Sequence, residues 1–146
     1  MNTPSFTITM PSGSCLCQAV KYELLGKPIK CAVCHCDSCQ KFSGSAFIAN
    51  CWYKEENVNI VQGHDSIQTY HEQGTASGKP MKRSFCRACG SSLFQQTAAL
   101  QEAGIISVAS GTIDDRTDAQ PSLEAWCSNR REWVAVDHQG EKLDTQ

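Results

Sequence analysis

The sequence has no apolar run near the ~18 residues that a membrane-spanning helix requires, which excludes a helical bilayer crossing. Its first basic residue is Lys21, so the N-terminal stretch lacks the charged start of a secretory signal and a cytoplasmic location is expected. It lacks a strong charge imbalance: 13 Lys+Arg stand against 15 Asp+Glu, a formal net charge of -2. That balance argues against nucleic acid or a membrane surface as partner. There is no internal repeat apart from the cysteine clusters and no low-complexity stretch. A chain of 146 residues is long enough for one core and too short for two ordinary domains. We expect a single domain over residues 1–136 and a polar tail over 137–146.

What the sequence has in excess is cysteine, ten residues in all. Such a set can be a disulfide framework, a metal framework or buried small hydrophobes. The disulfide reading needs an oxidising compartment, and nothing here directs export. Spacing favours metal. Random placement gives about 0.6 pairs at any one separation. Separation two occurs twice, at Cys15–Cys17 and Cys34–Cys36; separation three occurs three times, at Cys31–Cys34, Cys36–Cys39 and Cys86–Cys89. Close partners of this kind suit a tetrahedral ion with Zn–S ~2.3 Å.

Two short clusters far apart in sequence, Cys15/Cys17 and Cys86/Cys89, together supply the four thiolates of a closed structural site. In the second of them Gly90 supplies the unusual φ that a turn around a metal demands. Cys34, Cys36 and Cys39 give three thiolates within six residues, and three ligands plus an open position is the pattern of a reactive zinc. Cys31 precedes Cys34 by three and could instead close that site as a fourth ligand. All-thiolate sets favour zinc, with an iron–sulfur cluster as the lesser alternative, and exclude magnesium and calcium. If seven thiolates bind two zinc ions, the net charge moves from -2 to about -5. Lys30, Lys41, Lys82, Arg83 and Arg87 flank the clusters and read as counter-charges.

The remaining segments are mostly strand-like. Phe6–Met10 alternates apolar and polar, and 19–24, 46–53, 58–61, 67–70, 105–108, 125–127 and 133–136 are rich in β-formers. Only 37–42 and 96–103 read as helices. Cys51 and Cys127 read as buried small hydrophobes, and Trp52, Trp126 and Trp133 as core or sheet-face aromatics. His35, between two ligands, reads as a hydrogen-bonding support or as plainly exposed rather than as a ligand; His64, His71 and His138 read as solvated, and Asp114–Arg116 as a surface turn.

The run Gly13-Ser-Cys15-Leu-Cys17-Gln-Ala-Val20-Lys-Tyr22, then Cys34-His-Cys36-Asp-Ser-Cys39, then Phe85-Cys86-Arg-Ala-Cys89-Gly90-Ser-Ser-Leu93, resembles the glutathione-dependent formaldehyde-activating enzyme and centromere protein V family. The resemblance extends over residues 12–136. It implies a mainly β fold, a zinc-binding β-tent of small antiparallel sheets joined by zinc sites. It implies two zinc ions per chain, one structural on Cys15, Cys17, Cys86 and Cys89, and one catalytic-type on Cys34, Cys36 and Cys39. It also implies carbon–sulfur lyase chemistry on glutathione and formaldehyde as S-hydroxymethylglutathione. One departure is Glu124, where members often carry His.

The chemistry of the second site agrees with that class. A zinc held by three thiolates is electron-rich, so it lowers the pKa of bound water less than a neutral-ligand zinc does and is poorly suited to hydrolysis. It accepts a fourth soft ligand, and a substrate thiol bound there loses its proton at neutral pH. The expected function is a zinc-dependent lyase acting on a small thiol adduct, its acid–base residue unidentified. The alternative is a non-catalytic, zinc-stabilised module for a protein partner. The oligomeric state is not legible.

Overall fold

A computed structural model describes residues 12–145; the alternating segment Phe6–Met10 lies outside them. Eleven strands and two short helices follow in order: β1 (Ser12–Ser14), β2 (Lys21–Leu24), β3 (Lys30–Cys34), α1 (Asp37–Ser43), β4 (Ile48–Lys54), β5 (Val58–Gln62), β6 (Ile67–Glu72), β7 (Met81–Cys86), β8 (Ser92–Thr97), α2 (Ala98–Glu102), β9 (Ile105–Ala109), β10 (Leu123–Ala125) and β11 (Glu141–Lys142). The protein is mainly β, as expected.

The strands form two sheets, β1-β2-β5 and β11-β10-β3-β4-β9-β8-β7-β6. The smaller sheet is antiparallel throughout. The larger is mixed rather than antiparallel, because β10 runs parallel to both β3 and β11. In β2 the alternation Lys21-Tyr22-Glu23-Leu24 turns Tyr22 and Leu24 inward and leaves the charged residues half-buried. These side chains meet Leu93, Phe94, Val108 and Ile113 in one core. Tyr22 packs edge-to-face on Phe94 with ring centroids 5.4 Å apart, and its hydroxyl bonds Thr112 Oγ1 at 2.7 Å. Gly13 makes this possible: a Cβ there would lie 2.2 Å from the Tyr22 ring.

Several local expectations shift. Residues 96 and 97 end β8, and helix α2 begins only at Ala98, capped by the Thr97 side chain, which accepts from the Leu100 amide at 3.2 Å. The strand expected at 125–127 is β10 instead, because Trp126 adopts a left-handed φ of 57° and sends the chain into a 3-10 turn over Cys127–Asn129. No strand forms at 133–136. Val134 is buried, but Trp133 is 77% exposed, so it is neither a core nor a sheet-face aromatic. The polar segment expected as a tail runs back along β10: β11 pairs with it, and Cys127 N–H donates to Leu143 O at 2.9 Å. No helix among the described residues is long and apolar enough to cross a membrane.

Candidate metal centres

The first centre joins two turns. Cys15 and Cys17 lie on the turn from β1 to β2, and Cys86 to Cys89 span the turn from β7 to β8. Each turn is held by its own backbone: Gln18 N–H donates to Cys15 O at 3.0 Å, and Gly90 N–H to Cys86 O at 2.8 Å. Gly90 carries φ 75°, as the turn requires. Ser91 links the two, accepting from Leu16 N–H at 2.9 Å and lying 3.2 Å from Cys89 Sγ. The four sulfurs all lie within 4.8 Å of one another. A tetrahedron with Zn–S ~2.3 Å has edges of about 3.8 Å. The Cys15–Cys17 and Cys17–Cys86 sulfur separations are 3.6 and 3.8 Å, so the cluster has the dimensions of a four-thiolate site. It stands where the smaller sheet meets the larger one.

Its thiols are already unequal. Hydrogen bonding from Ser91, foremost, lowers Cys89 to about 5. The Ala19 amide pulls Cys17 down, but the Cys15 side chain, desolvation and the other two sulfurs push it up to about 11.

The second centre occupies the excursion between β3 and β4. Cys34 ends β3. Cys36 is the N-cap of α1, its sulfur accepting from Cys39 N–H at 3.3 Å, and Cys39 lies in the first helical turn. The three sulfurs lie within 4.8 Å of one another. They crowd one negative charge: bonds from Cys34, then Cys39, hold Cys36 down at about 2, while Cys36 foremost pushes Cys34 well above the thiol range. Cys39 is lowered by Cys34, but Cys36 and burial outweigh that and bring it to about 11. A divalent cation is what would allow all three to ionise together.

Cys31 is not part of this cluster. It faces Cys51 across the β3–β4 register and pairs with it as a disulfide. This sets aside the alternative of Cys31 as a fourth ligand and corrects the expectation of an inert hydrophobe at Cys51. The reason is alternation: Cys31 is an odd number of residues from Cys34 along one strand, so the two point to opposite faces.

Charged groups support the centre from behind. Arg83 is the neighbouring counter-charge expected of it, and it is buried, at 2% exposed. Its Nε donates to Glu72, its Nη1 donates to Gln95 Oε1 and lies 4.0 Å from Cys39 Sγ, and its guanidinium sits 5.1 Å over the Phe42 ring. Gln95 in turn donates to Asn50 Oδ1 at 3.1 Å. The sequence signal for this network is polar residues inside otherwise apolar strands, Asn50 in β4 and Gln95 in β8, which the sequence reading passed over.

His35 is fully buried and bonds Glu124 Oε1 at 2.7 Å, which favours the hydrogen-bonding reading and sets aside plain exposure. His138 is not solvated: its side chain is 2% exposed and bonds Glu124 Oε2 at 3.2 Å. Burial alone would raise the Glu124 carboxyl, but His35 foremost, then His138 and Arg130, hold it below the ordinary range. His64 and His71 are exposed.

A cavity of about 80 Å³ opens on the second centre and is lined by Cys34, Cys36 and Cys39. Trp52 forms part of its wall, a role beyond sheet-face packing.

The model of the family described as glutathione-dependent formaldehyde-activating enzyme matches residues 10–129. An uncharacterized lyase of Schizosaccharomyces pombe is 30% identical over 83 residues, 56% of this chain and 54% of that protein. The chain thus spans about half the length of this curated relative. A crystal structure of a Rhodobacter sphaeroides protein, a Northeast Structural Genomics target, aligns with TM-score 0.54 and 22% identity over 70% of this chain and 87% of that one. That likeness concerns the fold alone.

Proposed function

The chain belongs to the glutathione-dependent formaldehyde-activating enzyme family, and from that premise we propose that it is a zinc-dependent carbon–sulfur lyase acting on a small thiol adduct, S-hydroxymethylglutathione being the kind the family name suggests. The proposal assigns one structural zinc to Cys15, Cys17, Cys86 and Cys89 and one catalytic-type zinc to Cys34, Cys36 and Cys39. It gives the protein a small-molecule partner rather than nucleic acid or membrane, and places it in the cytoplasm, where Cys31 and Cys51 would be held as facing thiols rather than as a disulfide.

The observation that carries it is that the three-sulfur centre opens directly into a cavity. Cys31 faces Cys51 on the opposite side of β3 from Cys34, which supports an open fourth position because it removes the nearest candidate for a fourth protein ligand. Bound there, zinc would supply a soft Lewis acid for a substrate sulfur. In the lyase direction the carbon–sulfur bond of a hemithioacetal breaks and its electron pair goes to sulfur. The hydroxyl proton passes to solvent water as the carbonyl forms, leaving the sulfur as thiolate. The protein's part is to hold the sulfur at the three-cysteine end and to hold Cys39 rigid through α1 and Arg83.

Metal analysis of protein purified without added metal should approach two zinc ions per chain, and iron in their place would reject the assignment. Formaldehyde release from hydroxymethyl thiols should be lost in Cys39→Ala while one zinc and the fold remain. Full metal loading without any lyase activity, together with a fourth protein ligand in the spectrum of the cobalt form, would replace this reading with a non-catalytic binding module.

A further inference from the structure

We propose that Glu124 is a positioning residue for the second centre: it pins the bend from Cys34 to Cys36 through His35, and is itself held by His138 on the returning C-terminal segment. This rests on the preceding reading that Cys34, Cys36 and Cys39 hold a zinc ion.

His35 stands between two of the three sulfur donors, so the path of its backbone decides whether Cys34 and Cys36 aim at one point. Three bonds fix that path. Its N–H donates to Ala125 O at 3.1 Å, its carbonyl accepts from Gln40 Nε2 at 2.7 Å, and its ring Nε2 donates to Glu124 Oε1 at 2.7 Å. The ring is fully buried, and its Nδ1 has no hydrogen-bond partner. Among the described residues, the ring's hydrogen bonding therefore goes to Glu124 alone.

Glu124 is fully buried in β10, level with Val33 of the parallel strand β3. Its second oxygen accepts from His138 Nε2 at 3.2 Å, and Arg130 Nη1 donates to Oε1 at 3.3 Å. Gly140 N–H donates to His138 Nδ1 at 3.0 Å, which makes Nε2 the nitrogen that carries its proton toward the carboxylate. Leu143 N–H donates to Glu124 O at 2.8 Å, so β11 holds the backbone beneath. The same C-terminal segment reaches α1 as well, where Arg131 Nε donates to Gln40 Oε1 at 2.9 Å. Residues far along the chain from Cys36 thus close around both ends of the bend.

A buried carboxylate is costly unless its bonds are filled, and three donors on two oxygens fill them here. What the arrangement delivers is a fixed direction for the sulfurs on either side of His35. A neutral amide at position 124 can serve both rings. The unpartnered Nδ1 lets His35 carry its proton there and accept from the amide NH2 at Nε2, while the amide oxygen accepts from His138. An apolar side chain of similar size serves neither.

The test is the zinc affinity of the full chain, read by competition with a colorimetric chelator, with Cys39→Ala identifying the step that belongs to the first centre. Groups that orient metal ligands typically carry about 10–100-fold in metal affinity, so Glu124→Leu should weaken the second centre by that factor and leave the first unchanged. Glu124→Gln should stay close to the wild type. His138→Leu, which frees one carboxylate oxygen without touching His35, should weaken the second centre by a smaller factor. Unchanged affinity of the second centre in Glu124→Leu, or a loss shared equally by both centres, would overturn the proposal. So would a loss in Glu124→Gln as large as in Glu124→Leu. If Glu124→Leu is insoluble, His138→Leu decides, and an unchanged second centre there overturns it. A wild type with no zinc step that Cys39→Ala removes sinks the zinc reading first; a wild-type step that survives Glu124→Leu sinks this proposal alone.

Discussion

Replacing Arg83 with methionine tests whether the second centre is held from behind by a buried charge. The guanidinium is 2% exposed and serves Glu72, Gln95 and Phe42 at once. Methionine fills much of the same volume but leaves the Glu72 carboxylate facing an apolar group. Breaking a buried pair from one side costs about 3–5 kcal/mol, because the remaining charge is uncompensated. Glu72 keeps 14% side-chain exposure, which puts the expectation at the lower end, about 3 kcal/mol. At roughly 2–4 °C per kcal/mol for a chain of this size, Tm should fall by about 6–12 °C. Adding Glu72→Leu removes the stranded carboxylate, so the double variant should recover most of the loss. The assay is thermal and urea unfolding of the zinc-loaded wild type, both singles and the double. A single-variant cost below about 1 kcal/mol, or strictly additive costs in the double, would refute the argument that the pair is a desolvated unit.

Cys86→Ser removes a fully buried sulfur of the first centre, which the proposal assigns to a structural zinc. Structural zinc contributes about 10–16 kcal/mol of apparent binding free energy, against a domain's net stability of about 5–15 kcal/mol. The variant should be unfolded or insoluble, and a soluble, cooperatively melting Cys86→Ser with zinc in the second centre would contradict the assignment. Gly13→Ala drives a methyl into the Tyr22 ring and Thr112 O, so denaturant unfolding should show a loss of about 1–3 kcal/mol; no loss would mean that β1 is not held against the core. Because Ser91 holds the Cys89 thiol at about 5, the contribution of that thiolate to the metal-free fold is present above the ordinary thiol pKa and is lost as pH falls through about 5. Alkylation of Cys89 in the chelated wild type should persist down to about pH 5, and in Ser91→Ala it should fade at a pH closer to the ordinary thiol value; identical profiles would remove Ser91 from that role.

The two metal clusters were legible because each pair of sulfurs is fixed by a turn of two or three residues, and such spacing needs no knowledge of the fold. The assembly of Cys15/Cys17 with Cys86/Cys89 could also be argued, since each pair alone leaves a tetrahedral ion half-ligated. The Cys31–Cys51 pairing could not. It depends on the β3–β4 register, which is set after the chain has made the α1 excursion. Strand β10 is three residues long and buried on both faces, so it shows no alternation to read. Trp133–Val136 has the composition of a strand but no partner edge. Part of the cavity wall comes from strands β4, β8 and β9, and only their side-by-side order brings Asn50, Gln95 and Ser107 together.

The first centre also has a consequence in time. Cys17 and Cys86 are separated by 69 residues. At a synthesis rate of about 5–20 residues per second, that interval lasts roughly 3–14 s. Through it the ribosome-bound chain carries Cys15 and Cys17 as a half-built clamp, able to bind zinc weakly or to be oxidised, while the smaller sheet has nothing to fasten to. The Cys34–Cys39 segment, in contrast, emerges whole and can take its metal before Cys86 exists. An ion held by the first centre would therefore be the later of the two to be fully enclosed, and metal supply during translation would then bear on the yield of native protein as much as on its final stability.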